Sequence, residues 1–421
     1  MRTVTARHAR RAGTLRGMSS QTWRTPAVVL ACGCIILFFA FGARAGFGLY
    51  LQPISLEFGW GRGVLSLSLA LQQIVWGALG PIAGIIADRY GPGRVIAGCG
   101  ALYTLGLIGM SLAQTPLAMH FAAGLLVGAA LSGATFATVL AVIGRTVTPE
   151  RRSTALGVAT AAGSFGQFAL LPVNQVLIGA FSWHVALLIM AGMTALIMPL
   201  AAALAGRPAA AAGTGQSLGA ALREAMRERG FHLLFWGYFV CGFHIAMLTV
   251  HLPSFVSDAG LSVTHGMTAL ALIGLFNIVG TLSAGWLGGR YSKKYLLSAI
   301  YSIRGVLIAI LVFFPLSPLT LYVFACGIGL LWLGTVPLTN GLVGQIFGLR
   351  YMATLTAIVF FGHQIGGFVG VWLAGYLYDT TGSYLGAFLG SIGLSVFAAL
   401  INLPVNEKPL AERAKHAAAV A

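Results

Sequence analysis

The sequence predicts an all-α membrane protein with twelve transmembrane helices in two six-helix pseudo-repeats. Three observations lead there. Only 8% of the 421 residues are charged and the mean hydropathy is +0.88, a balance foreign to soluble globular proteins of this size. Twelve apolar runs each reach the roughly 20 residues that a helix needs to cross about 30 Å of hydrocarbon. Glycines, a proline and an arginine then recur at an offset of 200 or 201 residues, as two copies of one bundle would require.

In chain order the runs are 27–51, 64–87, 95–113, 118–144, 154–180, 183–204, 231–256, 264–288, 296–314, 318–344, 351–378 and 384–403. The first is too long for a signal-peptide core and has no small-residue cleavage site behind it, so it is read as an uncleaved span. The basic lead before it leaves Met1 and Met18 both open as the start. Of the 25 Lys and Arg residues, 22 lie in segments on the side of the N-terminus, Arg62 lies on the other side, and Arg44 and Arg304 fall inside runs. That bias places both termini in the cytoplasm.

The repeat pairs Gly42 with Gly242, Pro53 with Pro253, Gly80 with Gly280, Gly84 with Gly285, Arg89 with Arg290, Gly133 with Gly334, Gly144 with Gly344 and Gly166 with Gly366. An even number of helices per copy keeps the halves parallel about an axis along the membrane normal, with a substrate site at their interface. The chain accordingly divides into a basic cytoplasmic N-terminus (1–26), a first bundle (27–205), a central loop (206–230), a second bundle (231–404) and a cytoplasmic tail (405–421). Within the loop, Leu218, Leu222 and Met226 at helical spacing fit a surface-lying amphipathic helix, and the Ala/Gly-rich lead-in fits a disordered linker.

The link after the second run reads Gly84-Ile85-Ile86-Ala87-Asp88-Arg89-Tyr90-Gly91-Pro92-Gly93-Arg94. Gly91 and Gly93 permit a tight turn, Asp88 can face a helix N-terminus, and the arginines suit an anionic leaflet. This stretch resembles the signature loop of the major facilitator superfamily, and the resemblance extends over the whole chain. It implies the major facilitator fold and a gating role for Gly84, Asp88, Arg89, Gly91 and Arg94. A merely topological basic turn is the alternative. The second copy carries Gly289 where the acid would stand.

Glu57-Phe58-Gly59-Trp60, His363-Gln364-Ile365-Gly366-Gly367 and the stretch from Gly375 to Tyr384 further resemble bacterial relatives of monocarboxylate transporters and oxalate/formate antiporters. The resemblance implies a bacterial inner-membrane location. Two departures stand against oxalate or lactate specifically: no Lys or Arg occurs in the eighth run, and the lysine of oxalate antiporters is absent from the eleventh, where His363 is the only ionisable group in the core.

All nine acidic residues lie in loops or at span ends. A carrier of organic cations or sodium normally needs a membrane carboxylate, so the charge census favours an anion. A guanidinium in an apolar run costs about 2.5–3.5 kcal/mol and demands a cavity, a partner or a ligand. Arg44 meets that description as a carboxylate receptor, with snorkelling to the outer surface as its alternative. The repeat sets His244 opposite it, making a two-sided clamp or else a satisfied buried histidine. His363, Gln364 and Asn340 are the remaining substrate-binding candidates, each also open to interhelical hydrogen bonding. Arg304 reads first as a structural donor to nearby carbonyls.

The expected function is secondary transport of a small organic anion, a monocarboxylate or related carboxylate, by alternating access. Protons are a candidate co-substrate. The alternatives are a lipophilic-drug exporter and a non-transporting sensor on a carrier scaffold. No nucleophile-base pair or phosphate loop marks an enzyme. No Cys/His spacing marks a metal, no cofactor is expected, and the basic residues form no nucleic-acid stripe. The chain is expected to act as a monomer in the lipid bilayer.

Overall fold

The computed structural model describes residues 23–60, 63–206 and 217–413. The basic lead with both candidate start methionines, Arg62, the first part of the central loop and the last eight residues lie outside them. Twelve helices are long and apolar enough to span a membrane: α1 Pro26–Tyr50, α2 Leu67–Tyr90, α3 Pro92–Leu112, α4 Pro116–Thr146, α5 Pro149–Ala180, α6 Trp183–Leu200, α7 Arg229–Pro253, α8 Thr264–Gly288, α9 Lys293–Phe313, α10 Pro318–Phe347, α11 Met352–Tyr378 and α12 Leu385–Asn402. No strand occurs among the described residues.

Local chemistry starts these helices. Thr25, Thr115, Ser182 and Ser317 each accept a backbone N–H of the first turn, and proline occupies an opening position of α1, α3, α4, α5 and α10. Spans α1, α4 and α10 are irregular. The α-helix of α1 ends at Ala45 and tightens into a 3-10 turn over Gly46–Tyr50 before a further helix, Leu51–Phe58, carries the chain beyond the apolar run. In α4 a π segment spans His120–Leu126 and the helix breaks near Ala134, while α10 breaks between Leu331 and Thr335. The central loop holds a helix, Leu218–Arg227, whose buried face is Ala221 and Ala225; Met226, expected on the apolar face, is exposed. Small alanines allow a closer seat than the longer side chains would.

Packing follows the repeat. In the first half α1 packs on α5, α2 on α4 and α3 on α6; in the second, α7 packs on α11, α8 on α10 and α9 on α12. The halves meet along two seams, α2 with α11 and α5 with α8, which the same pairing exchanges. Glycines set the closest approaches. Gly166 of α5 lies against the Phe38 carbonyl of α1, and its mate Gly366 of α11 lies against the Phe239 carbonyl of α7. Between halves, Gly84 meets the Thr354 backbone and Gly285 meets Gly157. Apolar side chains gain little by leaving lipid, so backbone proximity at small residues carries helix association here.

On the face away from the basic loops, Glu57 ties three elements together. Its carboxylate accepts from Trp183 Nε1 at 2.6 Å and bonds His184 Nε2 at 3.0 Å, while His184 Nδ1 bonds the Ser111 carbonyl at 2.6 Å. The bonds from His184 and then Trp183 hold the Glu57 carboxyl below its ordinary titration range.

Two outcomes follow from these contacts. Because the lowered titration belongs to the folded state, the clasp stabilises above the ordinary glutamate range and is lost as pH falls through the lowered value. The melting temperatures of wild type and Glu57→Gln should therefore differ at neutral pH and converge in acid. Gly166→Val should cost about 1–3 kcal/mol by overpacking α1 against α5, read as a lower melting temperature in detergent.

Candidate functional site at the seam between the halves

Arg44 stands in the last turn of the α-helical part of α1, where unpaired carbonyls present the negative end of the helix. It does not snorkel. Its Nε donates to Gln72 Oε1 at 3.1 Å and its Nη2 to Gln73 Oε1 at 2.7 Å, with the guanidinium carbon 5.1 Å from the Trp76 ring centre. Gln72 is itself fixed, donating to the Ala123 carbonyl in the π segment of α4 at 3.0 Å. Two amide oxygens and an aromatic face thus hold a half-buried cation. No carboxylate among the described residues forms an ion pair with it.

The second half reaches this group through α11. Trp76 packs on Phe360 with ring centres 5.1 Å apart, and Phe360 stacks on His363 at 5.2 Å. Gln364 is buried; its Nε2 donates to the Gln73 carbonyl at 3.5 Å, and its Oε1 lies 3.2 Å from His363 Nδ1. The seam therefore brings Arg44, His363 and Gln364 into one connected group. It also adds Gln73 and Trp76 of α2. Their position one and four residues beyond Gln72 on α2 was the available signal.

His244 and Asn340 do not join this group. His244 is buried with Nε2 bonded to the Ser391 carbonyl at 2.9 Å and near Ser395 Oγ at 3.5 Å, so its ring faces α12. The clamp drawn from the repeat is corrected accordingly. Equivalent backbone positions carry different side chains, and the histidine turns to the acceptors its own bundle offers. Asn340 is buried in α10 and donates to the Val336 carbonyl at 2.8 Å; its Oδ1 has no partner. Arg304 takes the role first read for it, donating from Nη2 to the Leu331 and Trp332 carbonyls, each at 2.5 Å, where α10 breaks.

At the basic side the signature stretch folds as a near-continuous turn. α2 runs to Tyr90, Gly91 adopts φ 102°, and Pro92 opens α3. A left-handed residue with the Gly206 carbonyl 3.0 Å from any Cβ leaves only glycine at position 91. The Asp88 side chain is 1% exposed and spans the seam. Oδ2 accepts from the Thr354 backbone N–H at 2.9 Å and its hydroxyl at 2.8 Å, in the first turn of α11, while Oδ1 pairs with Arg145 of α4 at 3.3 Å. Arg89 lies over the Tyr90 ring and Arg94 is exposed, so the cation paired with Asp88 is the half-buried Arg145. At the symmetric seam Gly289 offers no acid, and Arg290 stacks on Trp286 at 3.8 Å.

Comparison with known proteins agrees with this architecture. Residues 33–371 match the family model of the Major Facilitator Superfamily. An uncharacterized MFS-type transporter of Bacillus subtilis, YcxA, is 28% identical over 401 residues, covering 89% of this chain and 93% of its own. Monocarboxylate transporter 13 of Bos taurus is 27% identical over 387 residues, covering 86% of each chain. Among solved structures, FucP, the E. coli fucose:proton symporter, superposes with a TM-score of 0.71 at 18% identity over 90% of this chain and 98% of its own. The human organic anion transporter MFSD10 gives 0.66 at 16% identity over 90% and 99%. The fold, the paired seams and the family match together place this chain in the Major Facilitator Superfamily, as a membrane transporter rather than an enzyme.

Proposed function

We propose that the protein carries a small organic monocarboxylate across the bacterial inner membrane by alternating access, with both termini cytoplasmic and a monomer as the working unit. The observation that carries this reading is Arg44, an intramembrane guanidinium held only by neutral oxygens and an aromatic face. A carboxylate arriving at Arg44 replaces the Gln72 and Gln73 oxygens with charge-assisted bonds of roughly twice their strength. The relatives named as monocarboxylate transporters support the substrate class. His363 and Gln364 would meet the same ligand from the second half, which ties occupancy to the α2–α11 seam. Proton symport fits the charge balance, since one anion bound with one proton leaves the carrier's net charge unchanged.

Asp88 would gate. Its bonds to the start of α11 exist only while the seam is closed at the basic side, so they bias the carrier toward opening on the opposite side. Gly84 and Gly91 permit the close approach, and Arg89 and Arg94 would follow the loop at the leaflet surface.

Uptake of a radiolabelled monocarboxylate panel into proteoliposomes tests the receptor. Arg44→Ala should abolish uptake and Arg44→Lys should leave only a small fraction, because an ammonium does not reproduce the guanidinium fork. Wild-type rates in both variants would overturn the reading. Asp88→Asn should weaken the closed arrangement by about 1.5–3 kcal/mol, the worth of hydrogen bonds to a charged group. A cysteine replacing Ala357 on α11, otherwise buried facing Gly80, should then react faster with an impermeant thiol reagent from the basic side.

A further inference from the structure

The group around Arg44 holds more aromatic surface than a carboxylate needs. The guanidinium carbon lies 5.1 Å from the Trp76 ring centre. Trp76 of α2 meets Phe360 of α11 at 5.1 Å, and Phe360 lies near-parallel to the His363 ring, with 13° between planes and 5.2 Å between centres. Tyr238 of α7 backs both of those rings, 6.0 Å from Phe360 and 5.2 Å from His363. On the other side of Trp76, Phe41 of α1 stands at 6.0 Å and stacks on Phe136 of α4 at 4.3 Å. Five helices from both halves thus build one aromatic wall, with the cation against it.

Exposure divides this wall into a face and a backing. Trp76, Phe41, Phe136 and Tyr238 are buried, while Arg44, Phe360 and His363 are half-buried. A ligand that reaches Arg44 therefore meets ring surface beside it. Seam packing does not require these rings. The repeat places Thr160 of α5 where Phe360 stands on α11, and Thr160 bonds the Leu156 carbonyl of its own helix at 2.8 Å. Close approach of α2 to α11 comes instead from small residues, Gly77 against the Gln364 side chain and Gly84 against the Thr354 backbone. Helices in lipid gain little by burying apolar surface on one another, so the rings are accounted for by a ligand that uses them.

Reach sets the size of that ligand. A bidentate carboxylate holds its carbon roughly 4 Å from the guanidinium carbon, and ordinary bond lengths put the centre of an aryl ring one methylene away about 4 Å further on. Phe360 stands two contacts of 5.1 Å each from the guanidinium carbon. The ligand's ring can thus lie within the roughly 4.5–7 Å between centres at which aromatic rings stack. A two- or three-carbon acid satisfies Arg44 but leaves the face of Phe360 without a ring partner.

We propose that the carried monocarboxylate is an aryl acid of the arylacetate type, with its carboxylate on Arg44 and its ring against Phe360 and His363. This identity rests on the carboxylate reading and names the substrate within it. The carboxylate belongs to the first half and the ring to the second, so one ligand bridges α1 and α2 to α11 across the seam that Asp88 fastens. In the empty site the Trp76 face holds the guanidinium by a cation–π contact, and the arriving acid adds a charged partner to that contact.

Thermal-shift titration of the purified full-length protein with phenylacetate, cyclohexylacetate and propionate tests the assignment, since a ligand that binds only the folded form raises its stability. Phenylacetate should bind at least about tenfold more tightly than propionate, as burial of a phenyl ring implies. It should also bind about twofold to tenfold more tightly than cyclohexylacetate, the share of aromatic stacking beyond area. Phe360→Leu keeps apolar bulk and removes the ring, so it should bring the preference for phenylacetate over cyclohexylacetate toward unity, and Phe360→Tyr should restore it. Should Phe360→Leu fail to fold, the three acids on wild type decide alone. Phenylacetate bound no more tightly than propionate, or a preference over cyclohexylacetate that persists in Phe360→Leu, overturns the proposal. Propionate binding that is lost in Arg44→Ala, with no preference for the aryl acid, overturns the aryl assignment and leaves the carboxylate reading standing. No Arg44-dependent binding of any of the three acids overturns both.

Discussion

Two guanidiniums that can never lose their charge, placed among residues suited to hydrocarbon, constrain this structure more than any other feature. A bilayer-depth cation costs about 2.5–3.5 kcal/mol on insertion scales, and among the described residues neither arginine forms an ion pair with a carboxylate. Both are instead met by failures of helix regularity. Arg44 stands where α1 gives way to a 3-10 turn, and Arg304 supplies the donors that α10 lacks at its break. The opposite face of that break is completed by Asn277, whose Oδ1 accepts the Leu333 N–H at 3.0 Å. Unpaired backbone in lipid is costly, so the broken helix and the buried cation each make the other tolerable.

The second constraint is steric. Helices inside a bilayer gain little from burying apolar surface against each other, so the fold depends on how closely backbones approach. The Phe38 carbonyl of α1 and the Phe239 carbonyl of α7 lie where any side chain at Gly166 of α5 or Gly366 of α11 would collide, once in each half. Gly84 and Gly285 do the same for the two seams. The two seams between the bundles, α2 with α11 and α5 with α8, are packed as closely as the helices within each bundle.

Much of this was written in the sequence. Apolar run length identified the spans. The repeat offset anticipated the glycine contacts, since Gly42 with Gly242 and Gly166 with Gly366 occupy matching positions in the two bundles. The intramembrane standing of Arg44 was equally legible. Side-chain partners were less so, because periodicity assigns a face but not what lies opposite it. Tyr103 and Arg304 are repeat mates that bond the backbone of residue 40 and the sulfur of Cys241, also repeat mates; the scaffold repeats while the chemistry does not. His244 misled for that reason. Asp88 could be seen as a residue that faces a helix N-terminus, but its partners Arg145 and Thr354 lie 57 and 266 residues away, beyond any local pattern.

The signature stretch is complete in one half and lacks its acid in the other. Asp88 fastens α2 to α11 by charge and hydrogen bonds, whereas α5 and α8 meet at Gly157 and Gly285 and through Asn277 Nδ2 donating to Ser164 Oγ at 2.9 Å, with no ion pair between them among the described residues. A hydrogen-bonded, ion-paired carboxylate is the stronger of the two fastenings, since bonds to a charged group are worth roughly twice those between neutral ones. A symmetric scaffold thus holds its two seams with unequal strength, so a motion that parts them would start more easily at α5 and α8 than at α2 and α11.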